Sequence, residues 1–142
     1  MTRVIFYSNL TDKQVALQTL VQQALAKKHV VTVMVESELQ ARDYGKALWQ
    51  SNETNFLPNV LAPDALANET PVVLDWQENQ LCQDDILINL SQKQLTTFSR
   101  FRQLIELVGL DESDKVLARQ RYKFYRDRGY EIRHFDEKDL IH

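Results

Sequence analysis

Glycine is scarce in this chain of 142 residues, which has three glycines, at positions 45, 109 and 129. None of them follows the first predicted strand, where the turn reads Ser8-Asn9-Leu10-Thr11. Phosphate-binding loops of the P-loop or dinucleotide kind need glycine because the backbone must approach the phosphates closely. The sequence therefore gives no support for nucleotide binding, even if the fold is α/β.

Cysteine and histidine are equally sparse, which bears on redox and metal chemistry. Cys82 is the single cysteine, so no intrachain disulfide can form, and we expect it to be a small buried apolar residue in a reducing compartment. The three histidines, at 29, 134 and 142, lack the spacing of metal ligands. We expect neither a metal nor a cofactor.

Long apolar runs are also missing. No stretch approaches the roughly 20 residues that cross a bilayer. The start, MTRVIFYSNLTDKQ, has an apolar run that is too short and is broken by polar residues, so we do not expect a signal peptide. The composition is ordinary for a globular protein, with 44% hydrophobic and 26% charged residues. We expect one cytoplasmic domain over residues 1–142, without a membrane partner.

Acidic residues offer little for catalysis. Asp84-Asp85 is a carboxylate pair before a strand, whereas Asp111, Glu112 and Asp114 lie at a helix start, where negative charge favours the helix dipole. No Ser/His/Asp arrangement can be named. We therefore expect a protein that is not an enzyme. The alternative is an enzyme that uses Asp84 or Asp85 on a phosphorylated small molecule.

The opening segments predict an α/β fold. VIFYS (4–8) is a short buried strand, Thr11 or Asp12 caps the following helix, and HVVTVMV (29–35) is an apolar strand. A β-α-β start favours a mostly parallel sheet flanked by helices, a Rossmann-like three-layer domain without a glycine loop.

The rest of the chain continues this pattern. Ser37 caps a helix that runs to about Trp49, and residues 51–70 are irregular. Gly129 is expected to end the last helix in a left-handed conformation, with Tyr130 folding back over it. The remaining predicted elements are strands at 71–76, 85–90 and 130–135 and helices at about 94–108 and 113–128.

Residues 115–135 carry seven Lys and Arg although the whole chain has a net charge of −3. The net charge argues against general affinity for nucleic acid, and the local patch indicates a small, defined anionic target. At roughly 100° per residue, one arc of about 100° on the helix holds four cations and a tyrosine. These residues are Lys115, Arg119, Tyr122, Lys123 and Arg126.

The opposite side of this helix is predicted to face the sheet through Leu117 and Phe124. Arg121 and Arg128 flank that side, and we expect their charged heads to stay in water. An aromatic ring among like charges suits a ligand with acidic and apolar parts, and an arginine fork can bond both oxygens of a carboxylate. A solvated surface helix is the alternative.

The stretch LARQRYKFYRDRGYEI (117–132) resembles the C-terminal signature of the chi subunit family of bacterial DNA polymerase III. The resemblance extends over the chain, through IFYSNL near the start, ALWQSNETNFLPN (47–59), PVVLDW, DILINLS and FSRFRQLIELV (98–108). It implies an accessory subunit of the replicase that is attached to the clamp loader through a small partner, psi. It also implies binding to the acidic C-terminal tail of the single-stranded-DNA-binding protein, which ends in Pro-Phe.

The resemblance assigns the tail-binding positions to Lys115, Arg119, Tyr122 and Lys123. The helical wheel adds Arg126. Val108 is expected to help wall the apolar pocket, because it lies near the end of the preceding predicted helix.

For psi, the resemblance implicates an apolar group in and before the irregular stretch, namely Trp49, Phe56, Leu57, Pro58 and Leu61. Two positions depart from the family pattern: Asn59 replaces the usual His, and Gly45 replaces the usual Asp. The alternative is a cluster that pins a loop to the domain.

A second function remains open on the sequence, namely direct binding of single-stranded nucleic acid by helix 113–128, with cations for phosphates and an aromatic for stacking. The acidic total and the lack of a second aromatic platform argue against it. The resemblance implies that DNA is contacted only indirectly.

Overall fold

The computed structural model describes residues 2–49, 60–61, 71–77 and 84–140. Trp49 and Leu61 are described as backbone alone, and Phe56, Leu57, Pro58, Asn59, Cys82 and His142 lie outside the described residues. The strands are β1 (Arg3–Leu10), β2 (Val31–Met34), β3 (Val60–Leu61), β4 (Val72–Asp75), β5 (Ile86–Asn89), β6 (Gln103–Gly109) and β7 (Ile132–Asp136). The helices are α1 (Lys13–Ala26), α2 (Glu38–Trp49) and α3 (Glu112–Asp127), with 3-10 turns at Phe98–Arg100 and Glu137–Leu140.

Within the described residues the strands form one sheet in the order β3-β4-β2-β5-β6-β1-β7, and all neighbouring strands are parallel. Every residue of β2, β4 and β5 is buried. Short apolar runs of this kind are typical of strands that are covered on both faces. The predicted α/β class and parallel sheet are confirmed.

Helices cover the two faces of the sheet. Leu17, Leu20 and Val21 of α1 pack on one face with Ile105 and with residues of α2. Ala118 and Tyr125 of α3 pack on the other face, against Val4, Phe6 and Leu104. The arrangement has three layers, with α3 alone among the three helices on its side.

Local sequence signals set the helix ends as expected. The Asp12 carboxylate accepts the Gln14 N–H at 2.9 Å and caps α1. The Ser37 hydroxyl accepts the Gln40 N–H at 3.3 Å at the start of α2.

Gly129 has a φ of +83° and follows the last turn of α3. Its N–H bonds the Arg126 carbonyl at 3.0 Å, and the Tyr130 N–H bonds the Tyr125 carbonyl at 3.1 Å. This pair of bonds is a Schellman motif, which requires the left-handed residue that glycine supplies.

The predicted helix at 94–108 is wrong. Residues 98–100 form a 3-10 turn, and residues 103–109 form β6, which lies between β5 and β1. Leu104 to Val108 are all buried, so no exposed position reveals the period of two. Periodicity alone cannot distinguish a fully buried strand from a buried helix.

None of the helices in the described part of the chain is both long enough and apolar enough to cross a membrane.

Candidate protein-binding face on helix α3

The buried face of α3 is more polar than the sequence suggests. It consists of Asp114, Ala118, Arg121 and Tyr125, which recur every three or four residues. Leu117 and Phe124, which were predicted to face the sheet, are half-buried at one flank. The predicted inner face is therefore wrong by nearly a quarter turn.

A buried charge explains this rotation. Glu106, in the middle of β6, is fully buried beneath α3. Its Oε1 accepts the Arg121 Nε–H at 3.2 Å and the Asn89 amide at 2.9 Å, while its Oε2 accepts the Tyr125 hydroxyl at 2.6 Å. We call these four residues the Glu106 network. Hydrogen bonds are directional, so the network fixes how α3 is turned on the sheet.

Arg121 departs from the prediction that its head stays in water. Its side chain is 2% exposed, and its Nη1 donates to the Gln92 carbonyl at 3.1 Å. A buried guanidinium is tolerated because it is paired with a carboxylate. Burial raises the pKa of Glu106, whereas the Arg121 charge and the hydrogen bonds from Tyr125 and Asn89 oppose that rise.

With Arg121 and Tyr125 turned inward, the predicted cationic arc faces solvent. The Arg119 and Arg126 side chains are 68% and 60% exposed, and Lys123 is exposed. Lys115 is half-buried. The structure thus brings the four cations to one side of one helix.

Tyr122 lies at the boundary between this surface and the core. It is 38% exposed, and its ring centroid lies 5.6 Å from that of the buried Phe6, at an interplanar angle of 56°. One part of the ring is thereby held by the core while the rest is open to solvent. The contact restricts the ring, so a ligand that packs on it meets a preformed surface.

The flank of α3 that carries Tyr122 packs on Phe6 of β1, and the neighbour of β1 is the edge strand β7. In the parallel pairing of β1 and β7, Val4 lies opposite Ile132 and Phe6 lies opposite His134. Paired residues of parallel strands project to the same face, so Ile132 and His134 lie on the face that α3 covers. The sequence does not single out either residue, because only the register of an edge strand places them on this face.

The cations of the arc are weakly engaged within the protein. Arg119 lies 3.5 Å from Glu112, and Arg126 lies 3.5 Å from Asp127, with more than half of each side chain exposed. Exposed pairs of this length contribute about 0–1 kcal/mol. Both guanidinium groups can therefore turn to a ligand at little cost.

Val108 lies in β6, so the prediction that it lies near the end of a helix is wrong. Its side chain is 2% exposed and belongs to the core cluster that contains Phe6 and Ala118. It lies beneath α3, on the face of the sheet that this helix covers.

A second concave site lies at the carboxyl ends of β1 and β6. These neighbouring strands lead to α1 and α3 on opposite faces of the sheet, which makes this a topological switch point, where ligands bind in many α/β folds. The cleft has a volume of about 430 Å³. Lys13 Nζ and Asp114 Oδ2 lie 3.0 Å apart at this site, and Asp114 also accepts the Gly109 N–H at 2.7 Å. The Asp114 carboxylate thus joins α3 to the strand end and to α1.

The pair Asp84-Asp85 lies at the opposite edge of the sheet from this cleft. Asp85 Oδ2 is 3.0 Å from His29 Nδ1 and accepts the Val30 N–H at 3.2 Å. The two groups that the enzyme alternative needs, a crevice and this acidic pair, are therefore not brought together.

Asp114 yields a prediction about acid stability. Burial raises the pKa of this carboxyl, but the Gly109 N–H and the Lys13 ammonium outweigh burial and hold the pKa below its usual range. A lowered folded-state pKa stabilises the fold above the unfolded-state pKa, and this contribution is lost as the pH falls through the folded value. We expect Asp114→Asn to reduce the free energy of unfolding by about 1–2 kcal/mol at pH 7.

Urea unfolding at a series of pH values checks this expectation, with Asp111→Asn as an exposed control next to the same helix. The difference between Asp114→Asn and wild type should close as the pH falls through the lowered pKa. A difference that stays constant in acid would show that the charge of Asp114 is not responsible.

These features define a class of protein: a three-layer α/β domain that presents an exposed basic-aromatic helix face. The chain belongs to the DNA polymerase III chi subunit family, because the model of the family described as "DNA polymerase III chi subunit, HolC" matches residues 1–133. Members of this family are accessory subunits of the replicase.

Curated relatives agree with this assignment. The chain is 36% identical over 104 residues to the DNA polymerase III subunit chi of Haemophilus influenzae, a match that covers 72% of each protein. It is 33% identical over 103 residues to the subunit chi of Escherichia coli, covering 72% of this chain and 70% of that protein. It is 30% identical over 136 residues to the subunit chi of Pseudomonas aeruginosa, covering 93% and 94%.

Proposed function

We propose that this protein is a non-catalytic cytoplasmic subunit that binds the acidic C-terminal tail of the single-stranded-DNA-binding protein through the outer face of α3. The observation that carries the proposal is the half-exposed ring of Tyr122, fixed on Phe6 and set among Lys115, Arg119, Lys123 and Arg126. The tail offers the complementary groups, namely acidic side chains, a terminal phenyl ring and a free carboxylate.

Each part of the tail has a counterpart on this face. The terminal phenyl ring packs on Tyr122 at the flank toward Ile132, and Val108 supports this surface from the core beneath the helix. Arg119 is exposed and only weakly paired, so its planar fork is free to bond both oxygens of the terminal carboxylate. Lys123 and Arg126 attract the acidic residues that precede the phenyl ring.

Magnitudes show which contacts supply the affinity. A micromolar complex requires roughly 8 kcal/mol, whereas each exposed ion pair supplies about 0.2–1 kcal/mol. Burying the terminal phenyl ring supplies on the order of 1.5–3 kcal/mol, and charge-assisted bonds to the carboxylate supply a further 1.5–3 or so each. The end of the tail therefore matters more than its acidic run.

The psi subunit is the second proposed partner. Its docking surface involves the C-terminal end of α2 and the following segment, through Trp49, Phe56, Leu57, Pro58 and Leu61. This part of the proposal rests on the family and on the apolar composition of the segment. DNA is reached through the coating protein that the tail belongs to.

Two synthetic tail peptides test the tail proposal, one complete and one without its last Phe. Isothermal titration should show that the shortened peptide binds at least about tenfold more weakly, because it loses the ring and moves the carboxylate away from Arg119. Salt should weaken the binding of the complete peptide moderately, and the part of the affinity that comes from apolar contacts should remain at high salt.

The matched control is a peptide in which the last Phe is kept and one acidic residue is replaced by its amide. Its affinity should fall by about fivefold or less, because a single exposed ion pair is lost. If the complete and the shortened peptide bind equally, the outer face of α3 does not bind the terminal ring.

A further inference from the structure

The two edges of the sheet carry opposite charge. Because all strands are parallel, they all begin at one edge, which we call the amino edge, and end at the other, the carboxyl edge. Among the described residues, the segments at the carboxyl edge hold ten acidic residues against three lysines, and those at the amino edge hold six Lys and Arg against three acids. The carboxyl-edge count covers residues 11–13, 35–38, 75–77, 90–93, 110–114 and 136–139. The amino-edge count covers residues 3, 27–30, 84–85, 100–102 and 128–131. The net charge of −3 conceals this asymmetry.

Backbone hydrogen bonds join the amino-edge segments into one surface. The Arg3 N–H donates to the Arg102 carbonyl at 3.0 Å, and the Arg102 N–H donates to the Asp85 carbonyl at 2.9 Å. The Val4 N–H likewise bonds the Glu131 carbonyl at 3.1 Å. From β2 across β5, β6 and β1 to β7 is four strand spacings, or about 19 Å. The cations therefore lie along one edge rather than being scattered.

All six amino-edge cations are exposed. None of them takes part in an ion pair within the described part of the chain. Two of the three acids have other partners, since Asp85 bonds His29 and Glu131 lies 3.7 Å from Arg133, whereas Asp84 is exposed and lines the same cleft as Arg100 and Arg102. The six cations are Arg3, Lys27, Lys28, Arg100, Arg102 and Arg128.

The amino edge differs from the face of α3 in having no exposed apolar anchor. The exposed large apolar side chains of the described residues lie elsewhere, on α1, α2, α3 and the loop after β6. A ligand at this edge gains affinity from charge along its length and not from burying an apolar terminus. A phosphodiester backbone is such a ligand, because it carries one charge per nucleotide and binds through release of its counterions.

Two clefts give the amino edge shape. One, of about 280 Å³, is lined by Arg100 and Arg102 together with Thr2, Ser99, Phe101 and the one acid Asp84. The other, of about 170 Å³, lies on the opposite face of the sheet, where Lys27, His29 and two glutamines line it together with buried or half-buried side chains of α1 and the strands, mostly apolar.

We propose that the amino edge is a contact surface for single-stranded nucleic acid. A line of cations along one edge can follow one sugar–phosphate backbone, and the acidic carboxyl edge points away from the strand. The surface adjoins α3, because Phe98, in the same 3-10 turn as Arg100, packs on Phe124 and Tyr130 at ring-centroid distances of 6.4 and 5.1 Å. The inference places a direct nucleic-acid contact at the amino edge, and not on helix 113–128 where the sequence left one open, and it does not depend on tail binding.

Fluorescence anisotropy of a labelled oligothymidylate with the full-length protein tests this surface. If four cations neutralise phosphates, the logarithm of the association constant should fall against the logarithm of salt concentration with a slope of about −3. The double variant Arg100→Ala/Arg102→Ala should bind about tenfold more weakly at low salt and reduce the magnitude of the slope by about 1.4.

The matched control is Lys93→Ala/Lys138→Ala, which removes two exposed charges from the carboxyl edge and leaves the same net charge. It should keep the affinity within about twofold, because its charges lie at the far edge. Equal losses in the two double variants, or no anisotropy change with wild type at low salt, would overturn the proposal. Unchanged thermal unfolding of both variants is the check on folding.

Competitors identify the ligand class and the surface. An oligoglutamate of equal charge should displace the oligothymidylate poorly, and a duplex with the same number of phosphates should bind more weakly. Equal competition by either would overturn the assignment to single strands. Arg119→Ala should leave oligothymidylate binding within about twofold, whereas loss of binding in this variant would place the strand on α3 and overturn the amino-edge site.

Discussion

Replacing Arg121 with Met is expected to lower the free energy of unfolding by about 3–5 kcal/mol, because it leaves Glu106 buried without its countercharge. Glu106 and Arg121 are both almost fully inaccessible, and the two side chains join β6 to α3. Urea unfolding followed by circular dichroism measures the change. Arg119→Met is the matched control, since it makes the same substitution two residues away on the exposed side, and it should change stability by less than about 0.5 kcal/mol.

The pH dependence of Arg121→Met identifies the cause of its instability. Burial raises the pKa of Glu106, and losing the Arg121 charge raises it further. A raised folded-state pKa favours folding below the unfolded-state pKa, and this advantage is lost as the pH rises through the folded value. The difference between variant and wild type should therefore narrow as the pH falls.

The double variant Glu106→Gln/Arg121→Met separates charge from packing. It removes both charges, so it should lose less stability than Arg121→Met alone. A double variant that is less stable than the single variant would show that the network contributes through packing and not through the compensation of charge.

Arg119→Ala is expected to weaken binding of the tail peptide by about ten- to hundredfold, because it removes charge-assisted hydrogen bonds to the terminal carboxylate. Tyr122→Ala should weaken it by about tenfold, since the terminal phenyl ring loses its packing partner. Both side chains are exposed or half-exposed, so neither substitution should unfold the domain. Isothermal titration of purified variants measures the affinities.

Two controls match these changes outside α3. Arg42→Ala removes an exposed arginine of α2, and Leu39→Ala removes an apolar side chain that is 69% exposed on the same helix. Both should bind the peptide like wild type. If Arg42→Ala weakens binding as much as Arg119→Ala does, general attraction to positive charge explains the complex better than a defined site.

The sequence predicted the elements whose signals are local. The buried strands β2, β4 and β5 are short apolar runs, and Asp12, Ser37 and Gly129 set helix ends through bonds to residues within a few positions. The predicted helix at 94–108 failed because β6 is buried on both faces and shows no alternation. Its assignment as a strand depends on its neighbours β5 and β1, which lie far away in the sequence.

The sequence correctly predicted which side of α3 is exposed, but it did not predict which residues form the buried side. Lys115, Arg119, Lys123 and Arg126 have no buried countercharge, and long cationic side chains without one stay in water. Arg121 breaks the rule because Glu106 lies beneath it, on a strand that the sequence suggested was a helix. A pattern of apolar residues cannot reveal how a helix is oriented when its orientation is set by the buried polar side chains of the Glu106 network.

The most direct test of the central claim is a double-mutant cycle between Tyr122 and the last Phe of the tail peptide. Wild type and Tyr122→Ala are each titrated with the complete and the shortened peptide. If the two rings pack on each other, Tyr122→Ala should weaken the complete peptide by about tenfold and leave the affinity for the shortened peptide nearly unchanged. If instead the losses of binding free energy caused by Tyr122→Ala and by removal of the last Phe simply add, the rings do not contact each other, and the tail does not end on this face of α3.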